Sequence, residues 1–264
     1  MCTICTVDST LRHIGGYDVC AYCRTRIASV LPQKKNVRMV LEEHAQKFIL
    51  GNQKDFDIPT YTARLEVLKK HAPHANIVLD FGCGNGNFVN FLRLKKYKAF
   101  GYDKSTIISR HLKARHTPYY AHERELPNAY FDVITCFDVV EHTINPREII
   151  ETLRKKLKKG GTLLITTPNA QGISARAFGK HWWVFGPTAH FVLFSLYSLQ
   201  SLLSDMHFRI LDVTTDTITP CIVPAEKLLP KVANKMMYIT LWPFKGILFR
   251  HQVGDNIQMI AMRM

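Results

Sequence analysis

Short apolar runs recur through the middle of the chain, at Ile77 to Phe81, Ala99 to Asp103, Phe131 to Cys136 and Thr162 to Thr166. Each has strand length, and the first is apolar at consecutive positions until its Asp80, the pattern of a strand covered on both faces. Between them lie stretches with helical spacing, among them Gly86 to Lys95 and a helix beginning near Ser105. Pro118 to His122 adds a further strand. Upstream, Val37 to Ile49 and Tyr61 to Lys70 read as amphipathic helices, the first ending at Gly51-Asn52. Downstream, Ser195 is placed to cap a helix over Leu196 to Ser204, and Phe208 to Thr214 and Asn256 to Met264 read as closing strands. Strands alternating with helices imply an α/β fold around a mostly parallel sheet.

The first strand runs directly into Gly82-Cys83-Gly84-Asn85-Gly86. Glycine at alternate positions lets the backbone turn with positive φ and approach a ligand, while the next helix opens with free backbone N–H groups. An ordinary strand-to-helix turn has the same appearance. Asp80 changes the picture, because a carboxylate beneath the loop repels pyrophosphate and attracts an ammonium. Asp103 ends the second strand, where a carboxylate can accept hydrogen bonds from both hydroxyls of a ribose or cap the helix near Ser105.

Asp80-Phe81-Gly82-Cys83-Gly84-Asn85-Gly86 resembles the first motif of the class I S-adenosylmethionine-dependent methyltransferases. Phe131-Asp132-Val133-Ile134 through Asp138-Val139-Val140-Glu141-His142, and Leu157-Lys158-Lys159-Gly160-Gly161 through Pro168-Asn169, are similar to two further segments of that family in the same order. The similarity is densest over residues 60 to 170 and is greatest to small-molecule O-methyltransferases related to ubiquinone biosynthesis. The resemblance implies a Rossmann-like seven-stranded sheet of order 3-2-1-4-5-7-6, its last two strands an antiparallel hairpin. It implies S-adenosylmethionine as cofactor, with Gly82, Gly84 and Gly86 shaping the loop, Asp80 holding the loop or the methionine ammonium, and Asp103 taking the ribose. Family members carry an acidic residue shortly before Leu-Pro near the adenine. Here the register falls on His122 or Glu123, and Glu123 is the chosen candidate.

Phe137, at the end of the fourth strand, is placed to pack on the adenosyl or methionine portion. His142 can titrate near neutral pH and is the first candidate to take a proton from a hydroxyl nucleophile or to orient the acceptor. His190 is the second, by its similarity to a His before Phe-Ser in relatives. Tyr61 and Arg64, ahead of the loop, are further candidates to contact cofactor or acceptor. Between 170 and 194 the periodicity fails and Trp182, Trp183, Phe185, Pro187 and Phe191 crowd together, which suggests an insertion over the acceptor pocket.

Four of the seven cysteines fall as Cys2-x-x-Cys5 and Cys20-x-x-Cys23. Paired turns at this spacing can aim four thiolates at one tetrahedral zinc, with two disulfides or a redox pair as alternatives. Four protein thiolates leave no open position, so the zinc is expected to be structural. The divisions that follow are a zinc-binding module over 1–30, a helical cap or linker over 31–75, and a methyltransferase domain over 76–264 with acceptor-side insertions near 170–194 and 217–255.

With 264 residues, 47% of them apolar, the chain can bury one large core with a small appendage. Its formal charge of +14 suits nucleic acid, an anionic membrane or a phosphorylated substrate, yet the excess is spread over all three thirds of the chain. The one dense run, Arg154-Lys155-Lys156-Leu157-Lys158-Lys159, ends a predicted helix, where cations complement the dipole. Nucleic acid is therefore disfavoured as partner. Leu228 to Phe249 mixes lysines with large apolar residues, interrupted by Pro243 and Gly246, and suits a lid, a dimer contact or an anionic membrane surface. No apolar stretch reaches the roughly 20 residues of a membrane span and no signal-peptide core opens the chain, so a cytoplasmic location is expected. The leading expectation is O-methylation of a sugar, polyketide or prenylated phenol. N-methylation of an amino sugar or of RNA, and a non-catalytic cofactor-binding protein, are the rivals.

Overall fold

The computed structural model describes residues 2–31, 39–40, 42–43, 45–46, 49, 57–185, 190–216, 240 and 242–264. Most of the Leu228 to Phe249 segment, Pro187 and Cys221 lie outside the described residues.

The strands β1 (Leu11–Ile14), β2 (Tyr17–Cys20) and β3 (Arg26–Ala28) open the chain. The large sheet is built from β4 (Ile77–Phe81), β5 (Lys98–Tyr102), β6 (Tyr119–Tyr120), β7 (Phe131–Phe137), β8 (Leu157–Pro168), β10 (Phe208–Asp216) and β11 (Asn256–Arg263). Its spatial order is β10-β11-β8-β7-β4-β5-β6, which is 3-2-1-4-5-7-6 when the seven strands are numbered along the chain. β4 runs parallel to β5 and β7, whereas β11 is antiparallel to both β8 and β10. This is the Rossmann-like class I methyltransferase arrangement.

Alternating side chains divide the core between the two faces of the sheet. Leu79 and Phe81, Ile134, Leu163 and Ile165, and Met259 and Ala261 belong to one apolar cluster. Their neighbours Val78, Val133, Leu164 and Ile260 belong to the other. The period of two explains why a one-residue slip in any of these strands would move its apolar set to the wrong layer. Helix α1 (Ile58–His71) buries Leu65 and Leu68, and α2 (Asn87–Leu94) buries Phe88, Val89, Phe91 and Leu92 against the second cluster. In α3 (Thr106–Ala114), Ser105 caps the first turn through a bond from the Ile108 amide to its Oγ at 3.3 Å. In α4 (Pro146–Lys156), Pro146 opens the helix and Arg154, Lys155 and Lys156 occupy its last turn, as the dipole favours.

Two strands depart most from their expected lengths. The third, β6, keeps only two residues of Pro118 to His122, because the amides of Ala121 and His122 turn to Glu125 Oε2 at 3.1 and 3.2 Å instead of extending the ladder. The fifth, β8, starts at Leu157 and absorbs the expected glycine turn. Leu157 pairs with Phe131 and Thr162 with Val133, so a register shift intervenes, and Gly160 adopts φ +78° there. Gly246 does not interrupt the C-terminal segment as expected but lies inside a short helix, α7 (Lys245–Arg250).

The stretch 170–194 forms α5 (Ile173–Phe178), short 3-10 turns and β9 (Val192–Leu193). β9 pairs with β3 through Arg26–Leu193 and Ile27–Val192, completing a second sheet of order β1-β2-β3-β9. Tyr17, Trp182, Val184, Phe185 and Leu193 form a small core between the two. Ser195 then caps α6 (Leu196–Asp205), its Oγ accepting from the Ser198 amide at 3.0 Å. Among the described residues no helix is long and apolar enough to cross a membrane.

Candidate functional site

The C-terminal ends of β4, β5 and β7 open into a cavity of about 850 Å³. β4 lies between β5 and β7, so the cavity sits where the strand order reverses, the position at which open α/β sheets place ligands. Asp80, Gly82, Gly84, Asp103, Glu123, Phe137 and His142 line it, as do Tyr61 and Arg64 of α1. Gly86 and His190 are not in its wall.

Gly82 has φ +80°, and a β-carbon on it would collide with Val139 Cγ2. Gly86 has φ +73° and begins α2, where a β-carbon would meet Leu112 Cδ2 at 2.5 Å. Gly86 therefore sets the loop by packing against α3.

Asp103 accepts from the Gly84 amide at 3.2 Å and from the Ser105 amide at 2.9 Å, so one carboxylate joins the glycine loop to the start of α3. The helix cap expected of Asp103 is supplied by Ser105 instead. Asp103 organises the turn while carboxylate lone pairs remain for a ligand. Burial raises its pKa above the ordinary carboxylate value. Asp80 is also buried, accepts from Thr135 Oγ1 at 2.7 Å, and is pushed up by burial to about 6 despite the Arg64 charge. The Arg64 guanidinium stacks 4.1 Å from the Phe137 ring, which meets Phe88 edge-on at 5.8 Å. Both residues in question before Leu-Pro are exposed, and of the two Glu123 lines the cavity. Glu123 accepts from Thr152 Oγ1 at 3.2 Å.

At the other end, Asp138 holds φ +57°, accepts from Thr166 Oγ1 at 3.0 Å and lines the cavity beside His142. A non-glycine residue at positive φ in a pocket wall is a mark of functional constraint. The His142 and His190 rings lie 4.9 Å apart between centroids. Glu141, fully buried, accepts from Thr167 Oγ1 at 2.9 Å, and burial pushes its pKa well up. Ligand atoms of Glu141, His142 and His190 lie within 4.8 Å of one another, close enough for proton sharing or for one small cation. Glu42, to which sequence reasoning gave no role, accepts from Ser105 Oγ at 2.6 Å and from the Thr106 amide at 2.8 Å, covering the start of α3. No short-range pattern marks it, because its partners lie more than 60 positions away.

The four N-terminal cysteines are buried together, with all four sulfurs within 4.8 Å of one another. Cys2 and Cys23 are 3.7 Å apart and Cys5 and Cys20 3.9 Å. A tetrahedral zinc with bonds of about 2.3 Å requires edges of about 3.8 Å, which these two separations match, and the donor set of four buried thiols suits the metal. The bond with Cys23 pulls the Cys2 thiol down to about 4, and the same bond with burial pushes Cys23 up.

Residues 53–213 match the family model described as a methyltransferase domain, more than half of the chain. The chain belongs to the methyltransferase-domain family. It is 30% identical over 99 residues to a probable S-adenosylmethionine-dependent methyltransferase of Mycolicibacterium smegmatis, covering 35% of this chain and 38% of that protein. It is 27% identical over 122 residues to a ubiquinone biosynthesis O-methyltransferase of Hydrogenovibrio crunogenus, covering 40% and 48%. These matches span less than half the length of either relative. In fold it is similar to magnesium protoporphyrin IX methyltransferase of Synechocystis, solved with bound S-adenosylhomocysteine, with a TM-score of 0.60, 14% identity and coverage of 88% of this chain and all of that one. The family match runs from just before α1 through the cavity wall to β10, and so includes every cavity-lining residue except Ala45.

Proposed function

We infer that the chain transfers a methyl group from S-adenosylmethionine to a small molecule, and that the acceptor atom is a hydroxyl of a sugar, polyketide or prenylated phenol. The observation that carries this is one cavity with two chemically distinct ends, Asp80 and Asp103 under the glycine loop and His142 beside Asp138. Its volume lies within the roughly 300–1,000 Å³ of small-molecule sites. The similarity to ubiquinone-pathway O-methyltransferases supports a hydroxyl acceptor.

S-adenosylmethionine supplies a methyl carbon on a sulfonium that leaves as a neutral thioether. Asp103 holds the ribose hydroxyls, Asp80 attracts the methionine ammonium, and Glu123 contacts the adenine. Gly82 and Gly84 let the backbone come close, and Phe137 packs along the ligand. His142 takes the acceptor proton or orients the hydroxyl, and His190 backs His142. Most of the rate enhancement then comes from alignment of the two substrates. The four cysteines hold a structural zinc that takes no part in the transfer.

The test is incubation of the purified chain with methyl-labelled S-adenosylmethionine and panels of hydroxylated and amine-bearing small molecules. Label on a hydroxyl is expected. Label on amines or RNA alone, or tight S-adenosylhomocysteine binding with no transfer, would overturn the O-methylation reading.

Two binding results follow. Asp103→Ala is expected to weaken S-adenosylhomocysteine by about 30-fold in calorimetry, roughly 2 kcal/mol for lost charge-assisted hydrogen bonds. Unchanged affinity would remove Asp103 as the anchor. Asp80 has a pKa near 6, so lowering the pH through that value neutralises the carboxylate that attracts the ammonium. Affinity should therefore drop about tenfold between pH 7 and pH 5, and Asp80→Asn should flatten that profile. An equally steep profile in the variant would place the titration elsewhere.

A further inference from the structure

We propose that the four-cysteine module sets the position of His190 behind His142 at the acceptor end of the site, with Tyr17 as the positioning residue. The proposal rests on the methyltransferase reading above.

His190 is held from three sides. Its Nδ1 lies 2.7 Å from the Val184 carbonyl, which can only accept, so Nδ1 carries the hydrogen and the ring orientation is fixed. The next residue ties it to the cavity side, where the Phe191 amide donates to the Glu141 carbonyl at 2.7 Å, one residue before His142. The third side is the N-terminal module. The buried Tyr17 hydroxyl donates to the His190 carbonyl at 3.0 Å across 173 positions of sequence. Burial pushes the phenol up to about 12, so it remains a donor at any working pH.

The cysteines control this third side through the chain that carries them. Tyr17 and Cys20 share β2, and the turn from Cys20 to Cys23 closes the hairpin to β3. β3 in turn pairs with β9, and the Ala28 amide donates to the Phe191 carbonyl at 2.8 Å. Below the same strand, Ser195 Oγ donates to the Cys23 carbonyl at 2.6 Å. A metal that fixes the four sulfurs therefore fixes a continuous hydrogen-bonded path from Cys20 and Cys23 to His190. None of these residues lines the cavity that holds Asp80, Asp103 and the glycine loop, so the path leads to His190 and not to the cofactor end.

The experiment uses the zinc-loaded full chain with its imidazoles labelled with nitrogen-15, the His190 signal being assigned by its loss in His190→Gln. Tyr17→Phe, checked to retain one zinc per chain, should displace the His190 signal. It should also speed amide exchange of the peptide spanning 190–194 by at least tenfold, and leave S-adenosylhomocysteine affinity within twofold of the parent. Stripping zinc from the parent with a chelator should displace the same signal, and zinc should restore it. An unmoved His190 signal in both the variant and the stripped protein would overturn the proposal. So would a fall in cofactor affinity parallel to the His190 change, which would mean general loosening of the fold. If the parent bound no S-adenosylhomocysteine, the methyltransferase reading would fall, while the His190 signal would still decide the coupling.

Discussion

His142→Ala is expected to lower methyl transfer to a hydroxyl acceptor by about 10²–10⁴-fold, the range for loss of a positioned general base, with S-adenosylhomocysteine affinity unchanged. The separation follows from the geometry. His142 follows the strained Asp138 beyond the end of β7, whereas the polar anchors proposed for the cofactor, Asp80, Asp103 and the glycine loop, lie at the ends of β4 and β5. A hydroxyl must lose its proton as the methyl carbon arrives, and the His142 imidazole offers a ring nitrogen in the cavity wall to accept it. His142→Gln separates orientation from proton removal, because an amide keeps hydrogen bonding and lacks basicity. Near-parental turnover in His142→Gln would assign His142 to orientation, and a loss below tenfold in His142→Ala would remove it from the chemistry. An amine acceptor, reacting as the free base, would be far less sensitive to either change.

The central sheet was legible in the sequence because its strands are dictated by local pattern. Val78 and Leu79, or Leu163 to Ile165, are apolar on both faces and have no other stable placement in a compact α/β chain. Asp80, Gly82, Gly84 and Asp103 were legible for a related reason, since the turn that the glycines permit brings a strand-end carboxylate 3.2 Å from a loop amide. The cysteine pairs announced their grouping by spacing alone. The partnership between β3 and β9 was not legible, because each strand is too short to carry a period and the two lie more than 160 residues apart. Tyr17 escaped notice in the same way, as an isolated tyrosine whose partner is a backbone carbonyl and not a motif. Glu42 and Thr135 are polar residues whose roles exist only after long-range packing has placed Ser105 and Asp80 beside them. The third strand was overread because propensity favours Tyr119 to His122 as extended chain, whereas Glu125 captures two of its amides.

Removal of the proposed zinc is the perturbation expected to reach furthest through the N-terminal part of the molecule. With zinc chelated, residues 2–31 and 190–194 should lose hydrogen-exchange protection, while β4, β7 and β8 keep theirs. The size of the effect comes from the metal's share in folding. Structural zinc sites contribute roughly 10–16 kcal/mol of apparent binding free energy, comparable with the whole stability of a domain. The other supports are Ile4 and Tyr17 in the core, the pairing of β3 with β9, and the Arg147 guanidinium, which donates to the Thr3 and Ile4 carbonyls at 3.1 and 2.7 Å. β1 is exposed along its length and cannot hold the small sheet by burial. The central strands, by contrast, are fully buried at Val78, Leu79, Val133, Ile134, Leu163 and Ile165 and are paired to one another along the large sheet. Cys20→Ser should reproduce the chelated state even with zinc present, because it leaves three thiolates and a hydroxyl that coordinates poorly. Acid should do the same progressively, as protons compete with the metal for the sulfurs. Full protection of residues 2–31 after chelation, with no zinc detected in the native mass spectrum of the untreated chain, would show that the four cysteines pack as thiols and that the module folds without a metal.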